Sequence, residues 1–158
     1  MRKKIILSVI AFIIIAAVGY GYSIVNGKEY IAGGQGDIVE NSIVFSKNIN
    51  VESSFSLVDL QMDSILGELV FDENGNCILP VFDEIKDSSS FKVNNEIKTI
   101  RATVTNDNND VIKEFEFKTG SKVSEKILLT SSGNYNIRLY SGEFKGVYKV
   151  DIESYKIF

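Results

Sequence analysis

The side chains best suited to chemistry in this sequence are carboxylates and amides gathered in two short turns. In the first, Asp72, Asn74, Asn76 and Asp83 occupy positions 1, 3, 5 and 12 of the loop that binds Ca²⁺ in EF-hands. Oxygen atoms are the ligands that Ca²⁺ prefers, but position 6 of that loop is a glycine, and here it is Cys77. The flanking residues also have the pattern of strands rather than helices, so a hairpin turn is the preferred interpretation.

The second oxygen-rich turn is the run Asn-Asp-Asn-Asn-Asp at positions 106–110. Its Asp107 and Asp110 are further candidate Ca²⁺ ligands, particularly if both turns lie at the same end of the fold. Asn and Asp are equally the residues that form ordinary turns, because their side chains bond to nearby backbone. A plain turn is again preferred, with calcium as the alternative.

The sequence contains no recognisable catalytic set. It has no histidine, which excludes Ser–His and Cys–His pairs and imidazole metal sites. Ser64 with Lys86 or Lys98 is the nearest approach to a nucleophile and base, but the serine lacks the strained glycine turn that exposes such nucleophiles. The single cysteine, Cys77, cannot form an internal disulfide. We therefore expect no cofactor and no enzymatic activity.

The N-terminal segment has the features of a membrane-targeting sequence. Fourteen residues without charge, from Ile5 to Val18, follow directly on Arg2, Lys3 and Lys4. A basic cluster resists translocation while an apolar run partitions into hydrocarbon, so the N-terminus stays in the cytoplasm and the remainder is exported. Residues 1–25 are accordingly predicted to form a hydrophobic helix whose partner is membrane lipid.

Two fates of this segment stay open. In Ala17-Val18-Gly19, small residues occupy the two positions that a signal peptidase reads, with cleavage before Tyr20. Alternatively, the apolar run continues from Ile5 to Val25, which at about 1.5 Å per residue spans roughly 30 Å, the thickness of one hydrocarbon core. Tyr20 and Tyr22 would then lie near the outer interface, where such rings are favoured.

Composition bounds the rest of the chain. Residues 26–37 contain four glycines and are predicted to be a flexible linker, which leaves residues 38–158 for one domain of ordinary size. Beyond position 4 there are 14 basic and 21 acidic residues. Because such a surface repels phosphate backbones, nucleic acid is not an expected partner, whereas an envelope protein is.

The domain has the pattern of a β-protein. About eight short segments with alternating apolar residues are separated by turns rich in Asn, Asp, Ser and Gly. Asn74-Gly75 in the first turn is a strong hairpin signal. This pattern predicts an all-β, antiparallel β-sandwich after the N-terminal helix.

One local motif refines this expectation. Tyr135 begins a strand just after a turn containing Gly133, which resembles the tyrosine corner of immunoglobulin-like and fibronectin-III-like sandwiches. Residues 142–150 likewise resemble the final hairpin of small extracytoplasmic modules. The resemblance implies an immunoglobulin-like fold in which the tyrosine hydroxyl bonds to upstream backbone. The Cys–Trp–Cys set of true immunoglobulin domains is absent, and fold alone does not carry function.

The sequence therefore favours a membrane-anchored extracytoplasmic module of a bacterial cell envelope that acts by binding or as a structural accessory. The alternative is a secreted enzyme inhibitor or enzyme, released by cleavage near Gly19.

Overall fold

The computed structural model describes residues 28–75 and 82–156, which form nine strands and one 3₁₀ helix. The strands are β1 (Lys28–Ile38), β2 (Ile43–Val51), β3 (Ser56–Leu69), β4 (Phe91–Asn94), β5 (Thr99–Asn106), β6 (Val111–Lys118), β7 (Val123–Leu129), β8 (Gly133–Tyr140) and β9 (Gly146–Lys156). The 3₁₀ helix, Phe82–Asp87, lies between β3 and β4.

The predicted N-terminal helix and its flanking residues lie outside the described ranges. Within residues 28–75 and 82–156, no helix is long and apolar enough to cross a bilayer.

The strands form two antiparallel sheets. The four-stranded sheet has the order β2-β8-β5-β6, and the five-stranded sheet has the order β1-β9-β3. The free edge of β3 is shared, since β7 pairs with its residues 56–62 and β4 with its residues 66–69. The predicted all-β antiparallel architecture is confirmed.

The order of the strands is that of a jelly roll rather than of an immunoglobulin domain. In a jelly roll the first and last strands pair, and the chain alternates between the sheets as it does here from β1 to β3. Immunoglobulin sheets instead keep the first two strands together. The resemblance to small β-sandwich modules is thus confirmed as one of fold, whereas the immunoglobulin strand order is corrected. The tyrosine motif indicates the geometry of one local corner, and it does not indicate which strands pair over long distances in sequence.

Alternation along the strands builds the core between the sheets. On β5 every second residue is buried, and its exposed partners face solvent. The side chains most completely buried in this core include Leu60, Ile100, Ile137, Leu139, Val150 and Ile152. A second, smaller cluster on the other face of the five-stranded sheet consists of Ile65, Phe82, Ile85, Phe91 and Val147, and the 3₁₀ helix covers it.

The predicted flexible linker is largely a strand. Residues 28–37 belong to β1, which pairs with β9 along its length and carries a bulge between Tyr30 and Ala32. The domain therefore includes residues 28–37. The sequence-based interpretation was wrong because glycine-rich composition indicates flexibility only when nothing packs on the glycines.

Here an aromatic ring lies against each of the three glycines of β1. A methyl group built on Gly33 would meet the Tyr30 hydroxyl, and one on Gly34 or Gly36 would touch the ring of Phe45 or Tyr148, respectively. These rings replace the missing side chains and fix the strand.

Tyr148 also joins the two sheets. It is 7% exposed and its hydroxyl donates a 2.7 Å hydrogen bond to the carbonyl of Val44 on β2. Burial, followed by the negative charge of Asp37, raises the pKa of the Tyr148 phenol above its usual value. The phenol therefore remains a neutral donor across the physiological range.

Tyr135 makes the bond that its motif implies. Its hydroxyl donates to the Ser131 carbonyl at 2.8 Å and is 2.9 Å from the Ser131 hydroxyl, which in turn donates to it. Gly133 has a φ of +146°, a conformation that other residues rarely adopt. The turn before β8 is thus fixed by two residues that sequence singled out.

The two ends of the sandwich differ in what they carry. The chain enters β1 at Lys28 at the near end, where β9 finishes and where the loops 52–55, 107–110 and 130–132 lie. At the opposite, far end lie the loops 39–42, 70–75, 95–98, 119–122 and 141–145.

Gly146 of β9 has no room for a side chain. A Cβ added there would lie 2.3 Å from the Ile65 carbonyl oxygen, a backbone atom that cannot move without breaking the β3–β9 pairing. We expect Gly146→Ala to lower the free energy of unfolding by about 1–3 kcal/mol, measured by chemical denaturation.

Gly142→Ala is the matched control, because its Cβ would approach only the Phe144 ring, at 3.3 Å. It should cost less than about 0.5 kcal/mol. Equal losses for the two variants would contradict the proposed backbone clash.

Candidate functional site

The candidate surface at the far end is centred on the crossover 95–98, which carries the chain from β4 to β5 and hence from one sheet to the other. It is held by the buried Thr119. The Lys98 amide donates to the Thr119 hydroxyl at 2.8 Å, and the Thr119 amide returns a 3.0 Å bond to the Lys98 carbonyl. The next amide, of Gly120, donates to the Ser64 carbonyl of β3, so the crossover is tied to the central strand.

The crossover presents one apolar side chain between opposite charges. Ile97 is 70% exposed, the largest exposed fraction among the large apolar residues described. On either side, Glu96 and Lys98 form an ion pair of 2.8 Å. The hydrogen bond from the Lys98 ammonium, and then its charge, lower the pKa of the Glu96 carboxyl. A turn closed by the Asn94 side chain, which accepts from the Glu96 amide, sets this arrangement.

Two grooves flank the crossover. The first has a volume of about 520 Å³ and the second about 550 Å³. The charged lining of the first groove consists of Glu40, Glu68, Glu96, Glu143, Lys92, Lys98 and Lys145. The second combines Ile65 and Ile97 with the polar turn 119–121. Charges of both signs beside apolar side chains such as Val93 and Phe144 suit a protein surface better than a polyanion.

A third groove at the same end is more apolar. It has a volume of about 370 Å³ and is lined by Ile38, Val39, Leu69, Phe71, Phe91 and Val147 among others. Val39 and Phe71 are 59% and 60% exposed. Sequence alternation did not reveal this groove, because its walls come from four segments that are distant along the chain.

The structure gives no support to Ser64 as a nucleophile. Ser64 is 2% exposed and lies within β3, so no substrate can approach its hydroxyl. Asp59 is equally inaccessible, since it is 5% exposed and its two oxygens accept from Ser124 and Gln61.

The Gln61 amide also donates to Glu153 at 3.2 Å, so one amide bridges two carboxylates on neighbouring strands. This polar network lies on the outer face of the five-stranded sheet, and sequence reasoning missed it. It stabilises the pairing of β3 with β9 and β7 rather than forming a cleft.

The edge strand β6 is also closed to an extended peptide at its near end. The ammonium of Lys113 reaches across to β7, where it contacts Glu125 at 2.5 Å and the carbonyl of Lys126 at 3.1 Å. Inward-facing charges of this kind protect edge strands from further pairing. The aromatic residues of β6 face inward, with the Phe115 and Phe117 ring centroids 5.2 Å apart.

The candidate calcium ligands are engaged in turns. Asp72 accepts from the Asn74 amide at 2.9 Å, and Gly75 has a φ of +77°. Asn76 lies outside the described residues, as does the strand predicted after it, except that Phe82 begins the 3₁₀ helix. Asn74 does not adopt the positive φ that the hairpin signal implies.

In the second turn, Asp107 accepts two bonds from Asn134 at 3.4 and 3.3 Å, and Asp110 accepts from the Asn106 amide group at 3.0 Å. This turn lies at the near end and the first at the far end, so the two cannot share an ion. Across residues 28–75 and 82–156, no three His, Cys, Asp or Glu side chains are grouped to hold a metal.

Comparisons with known proteins identify no family. Neither a protein-family model nor a curated protein matches the sequence. Among solved structures, the pre-peptidase C-terminal domain of a collagenase from Bacillus anthracis has a TM-score of 0.45 at 11% identity, covering 77% of this chain and 88% of that one.

A second similar structure is the carbohydrate-binding module CBM36 in complex with calcium and xylotriose. Its TM-score is 0.39 at 12% identity, covering 80% of this chain and 96% of that one. The resemblance in both cases is one of fold only.

Because the carboxylates of both turns already accept hydrogen bonds, we expect added Ca²⁺ to leave the melting temperature unchanged up to about millimolar concentration. Mg²⁺ at equal ionic strength is the control for general salt effects. A saturable rise with Ca²⁺ alone would contradict this expectation, and loss of that rise in Asp107→Asn or Asp72→Asn would identify the turn responsible.

Proposed function

We propose that this protein is a membrane-anchored extracytoplasmic module that binds an envelope protein at its far end. Residues 5–25 would hold it in the membrane with the N-terminus in the cytoplasm, and the jelly roll would stand outside. The proposal rests on the N-terminal pattern for location and on the arrangement of the two ends for function.

The observation that supports the binding role is that the chain enters the fold at one end and the candidate surface lies at the other. The chain enters the fold at the near end, whereas the grooves of about 520 and 550 Å³ and the crossover with Ile97 lie at the far end. A tethered module presents to its surroundings the end remote from its tether. An exposed apolar side chain inside a ring of charges has the composition of a protein-recognition surface.

The anchor is tested by intact mass. In the native host, we expect the chain in the membrane fraction to retain residues 2–25, because the apolar run is long enough to span. A soluble chain in the medium that begins near Tyr20 would contradict the anchor and favour the alternative of a secreted inhibitor or enzyme.

The binding surface is tested by photo-crosslinking in intact cells. A photoreactive residue in place of Ile97 should give one adduct of defined mass. The same residue in place of Glu116, which is exposed on the outer face of the four-stranded sheet, should give none. Adducts of equal yield at both positions, or none at either, would contradict a partner at the crossover.

A further inference from the structure

We infer that the near end of the jelly roll rests on the lipid headgroup layer and inserts a small apolar corner into it. This inference rests on the proposed membrane anchor. It concerns a surface of the folded domain, distinct from the hydrophobic segment and from the far-end grooves.

The first observation is the length of chain between the apolar segment and the fold. Because β1 begins at Lys28, only Asn26 and Gly27 separate it from Val25, the last residue of the apolar run. Three Cα–Cα steps reach at most about 11 Å. The headgroup layer is itself roughly 5–7 Å deep on each side of a bilayer. A domain tethered so closely cannot stand clear of the membrane surface.

The second observation is the composition of the near end. Phe55, Val111, Ile112 and Leu128 are 45%, 59%, 44% and 52% exposed. All four lie at the near end on the side where β6 faces β7: Phe55 precedes Ser56, which pairs with Leu129 of β7, and Lys113 of β6 bonds to Lys126 of β7. We call these four residues the near apolar corner.

Several exposed apolar residues at one end of a domain are costly in water and are stabilised at a lipid interface. The occupant that this corner fits is therefore the bilayer that the anchor already provides. Glu52, Asp107 and Asp110 also lie at the near end. Since carboxylates are repelled by anionic headgroups, zwitterionic phosphatidylcholine is the appropriate probe.

The absence of tryptophan from the sequence makes a direct test possible. In the full-length chain, Phe55→Trp introduces a single indole at the near apolar corner. The matched control is Phe71→Trp, which introduces one at the far end, where Phe71 is 60% exposed. Both chains are reconstituted into phosphatidylcholine vesicles whose acyl chains are brominated near the headgroup.

We expect bromination to lower the emission of the Phe55→Trp chain about twofold or more, because the indole reaches the top of the acyl chains. The emission of the Phe71→Trp chain should not change. If Phe55→Trp fails to fold, Ile112→Trp serves in its place. Emission of both near-end variants that is insensitive to bromination would overturn the inference.

Flotation separates this failure from failure of the anchor. A chain that floats with the vesicles but whose near-end indole is not quenched retains the anchor and refutes only the contact. A chain that does not float refutes the anchor and the contact together. A floating chain with equal quenching at Phe55→Trp and Phe71→Trp would refute the orientation, and with it the inference.

Discussion

The pairing of β3 with β9 is the interaction on which the rest of the structure depends. Eleven residues of β3, from Ser56 to Leu66, face β9 without a break in register. This ladder places β1 beyond β9, and it places β7 and β4 along the other edge of β3. It also requires Gly146, because the Ile65 carbonyl occupies the space of a side chain. Residues far apart in sequence thus fix one another.

The same long-range pairing explains what sequence could and could not predict. The β-class could be predicted because strands such as β5 carry their own alternation of apolar and polar residues. Their order could not be predicted, because no local signal records that the first strand pairs with the last. Tyr135 behaves as its motif implies, yet the corner that it closes is compatible with more than one sandwich topology.

The glycines of β1 show the same limit at a finer scale. By composition, Gly33, Gly34 and Gly36 belong to a flexible linker. In the fold each has an aromatic side chain beside it, and two of these, Phe45 and Tyr148, lie 11 and 112 residues beyond Gly34 and Gly36. The candidate site was hidden for a similar reason. Its crossover is held by Thr119, which no spacing rule associates with Lys98.

The change from linker to strand alters what the proposed function demands of the molecule. A flexible linker of twelve residues would let the domain sample many orientations, so that no face would be favoured. With residues 28–37 in β1, only Asn26 and Gly27 of that predicted linker remain. On the proposed anchor, with β3 alone spanning roughly 45 Å at about 3.3 Å per residue, the far-end grooves would stand well above the bilayer. A partner for them must itself reach that height, which favours another envelope protein over a ligand at the membrane surface.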